Sequence, residues 1–136
     1  MPYNNIPYGR RNKFRAKKTE FMGMMFDSKW EAERYAQLYK LSQAGEIQEL
    51  ERQIRFNIVV NDQKICAYVA DFTYYERDEN GEKKFVVEDA KGVETPEFKL
   101  KKKLMLAANN IDVRISKKKV VDSVKYISYS GKTNYQ

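Results

Sequence analysis

The sequence contains no histidine and only one cysteine, Cys66. Without histidine the chain holds no serine or cysteine triad with a histidine base, no histidine-ligated zinc and no histidine-dependent one-metal nuclease site. One cysteine excludes an intrachain disulfide and a cysteine zinc cluster. If the protein acts on phosphates, then carboxylates, lysine and a hard metal ion must do the chemistry.

Long apolar segments are also lacking. No apolar run reaches membrane-spanning length, and the basic residues near the N-terminus are not followed by an apolar signal core. We therefore expect a cytoplasmic protein with no membrane partner. The 136 residues carry a net charge of +7, which favours a polyanionic partner. Nucleic acid ranks first and an anionic membrane surface second, so DNA rather than a membrane is the partner we expect.

The chain divides into a basic N-terminal arm, residues 1–20, and a single domain, residues 21–136. Tyr8 and Phe14 are interleaved with the basic residues of the arm, and two interpretations stay open, a solvated tail and an arm that contacts DNA. The basic residues are Arg10, Arg11, Lys13, Arg15, Lys17 and Lys18.

A first helix is predicted from Ser28 to about Gln43, ending near Gly45. Ser28 is a good N-cap, and Glu31 three residues later completes a capping-box pattern. Tyr35 and Leu38 lie within about 40° of Glu31 around the helix, so Glu31 sits at the centre of the core-facing stripe. A carboxylate there is costly unless it is paired or bound to a metal ion.

Strands and a second helix follow, giving the order helix, three strands, helix, strand. This order predicts an α/β domain with a mixed central sheet flanked by helices. For the second helix we expect Thr95 as N-cap and an apolar stripe formed by Leu100, Leu104 and Ala107 or Ala108. Residues 120–129 are a last strand or a short helix. The other predicted elements are strands 53–60, 64–75, 84–89 and 111–115, a turn at 61–62 and a helix over 96–108.

The residues with chemical potential lie on the middle strands. Alternation places Val87, Asp89 and Lys91 on one face of their strand and Glu88 on the other. On the preceding strand it groups Asp71 with Ala67, Val69 and Thr73. If the two faces align, Asp71 and Asp89 converge on one Mg²⁺ ion, with Lys91 beside it to orient a water or offset phosphate charge.

Each of these residues also has a structural interpretation. Asp71 is equally an ordinary strand-edge aspartate, and Asp89 with Lys91 is equally a surface ion pair. Glu31 is equally the second half of the capping box. Glu88, next to Asp89, stays open as an alternative ligand reached through a bulge.

Together, these residues resemble the PD-(D/E)XK nuclease superfamily, in which an acidic residue on a first helix, an aspartate and a D/E-x-K pattern follow in this order. Segments 26–32, 68–72 and 86–92 more closely resemble small phage and prophage proteins grouped with phage endonuclease I-type Holliday junction resolvases. The similarity covers about residues 12–116. One departure is Ala70, which stands where the superfamily has proline.

The resemblance implies a restriction-endonuclease-like core and a Mg²⁺-dependent DNA endonuclease, with Mn²⁺ as a substitute. Asp71, Asp89 and Glu31 would bind the metal ion, and Lys91 would assist the attacking water. Branched DNA, a homodimer and a role in phage DNA metabolism within a bacterial host follow from the resemblance alone.

The basic segments supply the candidate phosphate contacts. These are the arm, the second helix with Lys99, Lys102 and Lys103, and the run Lys117–Lys119. Two other functions stay open: a non-catalytic DNA-binding phage protein on a nuclease-like fold, and a structural or adaptor protein whose charge is incidental.

Overall fold

The computed structural model of the protein describes residues 18–118. Two helices and six strands make up this part of the chain. The elements are β1 (Thr19–Phe21), β2 (Met24–Phe26), α1 (Lys29–Gln43), β3 (Ile47–Val60), β4 (Gln63–Arg77), β5 (Lys83–Ala90), α2 (Pro96–Asn109) and β6 (Arg114–Ser116).

The central sheet has the strand order β3-β4-β5-β6. The β3–β4 and β4–β5 pairs are antiparallel, whereas β6 is parallel to β5. A mixed sheet with two helices confirms the predicted α/β class and the order of the main elements. The hairpin β1–β2 is an addition, and it begins at Thr19, inside the segment that the sequence assigns to the arm.

The helices lie on opposite faces of the sheet, as the two neighbours Val86 and Val87 on β5 show. Val86 packs in a cluster with Leu38 of α1, and Val87 packs in a cluster with Phe98 and Met105 of α2. The core is therefore two apolar layers separated by the sheet, and we call the two sides the α1 face and the α2 face.

The predicted caps and turn are confirmed. Ser28 Oγ accepts from the Glu31 N–H at 3.0 Å, and Thr95 Oγ1 accepts from the Phe98 N–H at 3.1 Å. Gly45 has φ +80°, as a left-handed residue after a helix does. Asn61 and Asp62, both with positive φ, form the two-residue turn between β3 and β4.

The predicted apolar stripe of α2 is wrong at Leu100, which is 57% exposed. The buried residues of this helix are Phe98 and Met105. Leu100 lies about 200° around the helix from Phe98, so packing through Phe98 turns Leu100 to water.

Two strand boundaries also differ from the prediction. β3 begins at Ile47 rather than Gln53, because the ladder is irregular between Gln48 and Glu51 and hides the alternation. β6 begins at Arg114 rather than Ile111, since the apolar residues Ile111 and Val113 pack under α2 instead of pairing. The element predicted over 120–129 lies outside the described residues.

Candidate active site

Strands β4 and β5 separate at the position of the two predicted aspartates. Their last ladder pair joins Phe72 to Glu88, and Asp71 and Asp89 come one residue beyond it. Here the Asp71 N–H donates to Asp89 Oδ1 at 2.9 Å, and the Ala90 N–H donates to Asp71 Oδ2 at 2.9 Å. Side-chain carboxylates thus replace backbone carbonyls as acceptors, and the structure brings Asp71 and Asp89 together.

The predicted face of β4 is wrong for part of the strand. Tyr68 and Ala70 pack in the α2-face cluster, whereas Phe72 and Tyr74 pack in the α1-face cluster. Strict alternation would keep all four on one face, so the alternation shifts at Asp71. The shift lies opposite a distorted residue of β3, Gln53, and neither distortion is visible in the composition of the strands.

Asp89 is fixed below the surface on the α2 face. It is 2% exposed, and its Oδ2 accepts a hydrogen bond of 2.5 Å from the Tyr68 hydroxyl. The Lys91 ammonium lies 3.8 Å from the same oxygen and 4.4 Å from the centre of the Phe98 ring. Asp89 and Lys91 therefore share a face, as the spacing predicts.

Glu88 is engaged on the α1 face instead. The Arg34 guanidinium donates to both of its oxygens, at 2.6 and 3.1 Å, and the Tyr74 hydroxyl donates at 2.6 Å. Burial disfavours the charged form, but these hydrogen bonds outweigh it and lower the pKa of Glu88. Glu88 holds α1 to the sheet, and Asp89 is the carboxylate beside Lys91.

Glu31 reaches the two aspartates from α1. It is 3% exposed, and one amide nitrogen, Gln53 Nε2, lies 3.2 Å from Glu31 Oε2 and 3.4 Å from Asp71 Oδ1. The Arg52 guanidinium lies 3.9 Å from Glu31 Oε2. The Glu31 N–H thus donates to the cap residue Ser28, while the Glu31 carboxylate belongs to the cluster with Asp71.

The cluster carries more negative charge than its neighbours neutralise. Burial, and then the charges of Asp89 and Glu31, raise the pKa of Asp71 to about 8. Burial and the charge of Asp27 also raise the pKa of Glu31, with Arg52 opposing them. In this environment Asp71 favours either a proton or a bound cation.

A cavity of about 420 Å³ opens onto this cluster. Its wall includes Trp30, Glu31, Asp71, Ala90 and Lys91, whereas Asp89 is buried and is not part of the wall. No three carboxylate or cysteine side chains in residues 18–118 are already grouped as a metal cage. Mg²⁺ needs no such cage, since it binds through one or two carboxylates and keeps several waters, so oxygen donors in a cavity wall fit it.

Sequence reasoning missed three side chains of this site. Tyr68 fixes Asp89, Gln53 bridges Glu31 and Asp71, and Arg52 lies beside Glu31. Burial raises the pKa of the Tyr68 phenol further above its usual value, and the Asp89 charge adds to this, so it remains a proton donor. Tyr68 stands three residues before Asp71, a weak signal, whereas no pattern marks Arg52 or Gln53.

The candidate DNA-contacting residues are spread over several elements. Lys99 and Lys103 are exposed on α2, Lys102 donates to Asp112 at 3.0 Å, and Lys18 pairs with Asp27 at 3.9 Å. The remaining arm residues, Arg10, Arg11, Lys13, Arg15 and Lys17, lie outside the described residues.

A second cavity, of about 490 Å³, is lined by Arg34, Arg114, Lys117 and Lys118. Each of these cations pairs with a glutamate, at distances between 2.6 and 3.2 Å. Trp30 belongs to the wall of both cavities, and its indole N–H donates to the Ser116 carbonyl at 3.0 Å. A cavity lined by cations that are paired with glutamates therefore adjoins the carboxylate cavity.

Comparison with known proteins finds one family. The family model described as "Protein of unknown function (DUF1064)" matches residues 11–128. No curated protein and no solved structure matches the chain. Within residues 18–118, no helix is long and apolar enough to cross a membrane.

Proposed function

Since the chain belongs to the DUF1064 family of proteins of unknown function, we propose a function from its site: a Mg²⁺-dependent endonuclease that hydrolyses phosphodiester bonds of DNA on a restriction-endonuclease-like core. The observation that carries this proposal is the meeting of Asp71, Asp89 and Glu31 beside Lys91, where β4 and β5 separate. The raised pKa of Asp71 supports it, because an excess of buried negative charge favours a bound cation.

The carboxylate oxygens favour a hard cation, with Mn²⁺ able to replace Mg²⁺. Asp71 and Glu31 in the cavity wall would hold it directly, and Asp89 would join them once its carboxylate turned toward the cavity. Bound Mg²⁺ would supply Lewis-acid stabilisation of the negative charge that develops on the phosphate. Until that turn, the Tyr68 hydroxyl and the Asp71 N–H keep the Asp89 carboxylate in one orientation.

Lys91 has a separate role at the cavity wall. Its ammonium remains within 3.8 Å of Asp89 Oδ2 and can donate to a water or to a phosphate oxygen in the cavity. Donation to the water orients it for attack, and donation to the phosphate offsets its charge.

The basic surfaces favour DNA as the substrate class. Exposed Lys99 and Lys103 follow the site along the chain on α2, and the cavity with Arg114, Lys117 and Lys118 adjoins it across Trp30. The exposed Lys99 and Lys103 suit contacts to the phosphate backbone, which position DNA without reading its sequence. Arg114, Lys117 and Lys118 would have to exchange their glutamate partners for phosphates. Branched DNA, a homodimer that cuts paired strands, and action in the cytoplasm of a bacterial host during phage DNA metabolism complete the proposal.

The experiment is a cleavage assay with Mg²⁺ or Mn²⁺ on junction, flap, duplex and single-stranded DNA. We expect Asp89→Ala and Lys91→Ala to lower the cleavage rate by about 10²–10⁴-fold, while DNA binding in Ca²⁺ persists. Lys84→Ala, which removes an exposed lysine from the same strand, is the matched control and should cleave like the wild type. Equal cleavage by wild type, Asp89→Ala and Lys91→Ala would overturn the proposal.

One observation favours a second function, a non-catalytic DNA-binding protein on a nuclease-like fold. Both oxygens of Asp89 already accept hydrogen bonds within the protein, an arrangement that also suits a purely structural aspartate. This alternative predicts salt-sensitive DNA binding and no cleavage by the wild type with any divalent cation.

A further inference from the structure

Gln53 on β3 joins two acidic side chains that come from different elements. Its amide nitrogen lies within hydrogen-bonding distance of Glu31 on α1 and Asp71 on β4, at 3.2 and 3.4 Å. Without a donor between them, two partly buried carboxylates repel each other. The amide therefore keeps side by side two groups whose charges would drive them apart.

The backbone of Gln53 is strained. Its φ is +55°, in the left-handed region, although it is neither glycine nor at a turn and lies in the interior of the 14-residue strand β3. A residue with a side chain held there costs folding free energy, and such positions cluster at functional sites. Glycine would relieve the strain but would supply no amide for the two carboxylates.

The preceding residue, Arg52, is fixed in place. Its guanidinium stacks 3.9 Å from the centre of the Phe26 ring and donates to the Met25 carbonyl at 2.9 Å. Its Nε is buried without a hydrogen-bond partner in the described structure. Arg52 thus occupies a fixed position on one side of Glu31. The hydrogen bonds that link Glu31 to Asp71 come from Gln53.

We propose that Gln53 is a positioning residue for the divalent cation: by bridging Glu31 and Asp71 it holds them at the spacing the cation needs. The inference rests on the proposed function, because it assumes that these carboxylates bind the cation. Loss of the bridge lets the carboxylates move apart. Part of the free energy of cation binding is then used to bring them together again, so the affinity falls. Partners that orient metal ligands typically change metal affinity by about 10–100-fold.

The test measures Mn²⁺ affinity by calorimetry on the full chain without DNA, together with thermal unfolding. Gln53→Ala removes the amide and keeps the strain, whereas Gln53→Gly removes both. We expect each variant to bind Mn²⁺ about 10–100-fold more weakly than the wild type, while Gln53→Gly unfolds at a higher temperature than Gln53→Ala. Gln48→Ala, which truncates an exposed glutamine of the same strand, should bind Mn²⁺ like the wild type.

Comparison of Gln53→Ala with Gln53→Gly distinguishes a role of Gln53 in positioning the carboxylates from a role in folding. If Gln53 served the fold alone, Mn²⁺ affinity would follow stability, and Gln53→Gly would bind better than Gln53→Ala. That result, or Mn²⁺ binding by either variant at wild-type strength or tighter, would overturn the inference. A wild type that binds Mn²⁺ but cleaves no DNA removes the proposed hydrolysis and leaves the inference standing; a wild type that binds no Mn²⁺ removes both.

Discussion

Asp71 and Glu88 show how partners decide the charge of a carboxylate that is removed from water. Burial alone raises the pKa of both groups. Around Glu88, donors from Arg34 and Tyr74 reverse that effect, whereas Asp71 faces the further negative charges of Asp89 and Glu31. Glu88 therefore serves the fold as a charged group, whereas Asp71 is a carboxylate whose charged form is disfavoured until a cation compensates it.

The first prediction follows from the lowered pKa of Glu88. Glu88→Gln breaks the pair with Arg34 and should lower the free energy of unfolding by about 3 kcal/mol at neutral pH. Because the folded-state pKa lies below the ordinary value of 4.5, the contribution of the charged form is complete above that value and is lost as pH falls through the folded-state pKa.

Urea unfolding of wild type and Glu88→Gln at several pH values measures this difference, without divalent cations. The gap between the two proteins should narrow as the solution is acidified below about pH 4.5. A gap that stays constant from neutral to strongly acidic pH would show that the charge of Glu88 contributes nothing to stability.

At the residue scale, sequence spacing was sufficient for groups related along one strand or one helix. Asp89 and Lys91 share a face because they are two residues apart at the end of β5, and Glu31 is buried because of its place on α1. Gln53 and Tyr68 could not be found this way, since their roles depend on the pairing of β3 with β4 and on a shift of alternation at Asp71. Such relations exist only after the sheet has formed.

Among the elements, α2 has a capping residue at each end. Thr95 caps its start, and Asn110, with φ +57°, ends it in the left-handed conformation. The Asn110 N–H donates to the Leu106 carbonyl at 3.1 Å, satisfying one of the last helical acceptors. The end of α2 therefore depends on a residue that tolerates a positive φ.

The second prediction concerns this residue. Asn110→Gly should be more stable than Asn110→Ala by about 1 kcal/mol, because alanine is disfavoured in the left-handed region and glycine is not. Urea midpoints of the two variants measure the difference. Equal midpoints would mean that the end of α2 rearranges in the alanine variant.

Element boundaries were predictable where local chemistry sets them, as at Ser28, Gly45, Thr95 and the turn at residues 61–62. They were not predictable where tertiary packing overrides the pattern. The start of β3 is hidden by an irregular ladder, and the buried side of α2 is chosen by Phe98, which contacts a strand cluster distant in sequence.

For the whole molecule, the net charge of +7 raises the question of which cations are available to contact DNA phosphates. Much of the positive charge within the described residues is already paired with glutamates or aspartates, as at Lys101, Lys102, Lys117 and Lys118. Lys99 and Lys103, exposed on α2, are therefore the better candidates for contacts to phosphates.

The third prediction is that Lys99→Ala and Lys103→Ala each weaken DNA binding to a similar degree on all sequences. Each should reduce the slope of log affinity against log salt concentration by about 1, the value for one lost phosphate contact. Binding titrations in Ca²⁺ at several salt concentrations measure the slope, with Lys84→Ala as control. Slopes unchanged from the wild type would place the DNA elsewhere on the surface.

The side chains of Asp89 and Asp71 accept hydrogen bonds from the backbone amides of Asp71 and Ala90, respectively. These hydrogen bonds bear on which residues relatives in the family should conserve. If the proposed hydrolysis is correct, a relative that had lost it would still need acceptors for those amides, so selection for a folded sheet alone would preserve both aspartates. The Lys91 side chain holds no backbone amide; in the described structure it contacts the Asp89 carboxylate and the Phe98 ring. Under the proposed function, the lysine rather than the aspartates would therefore distinguish a catalytic relative from one that keeps only the fold.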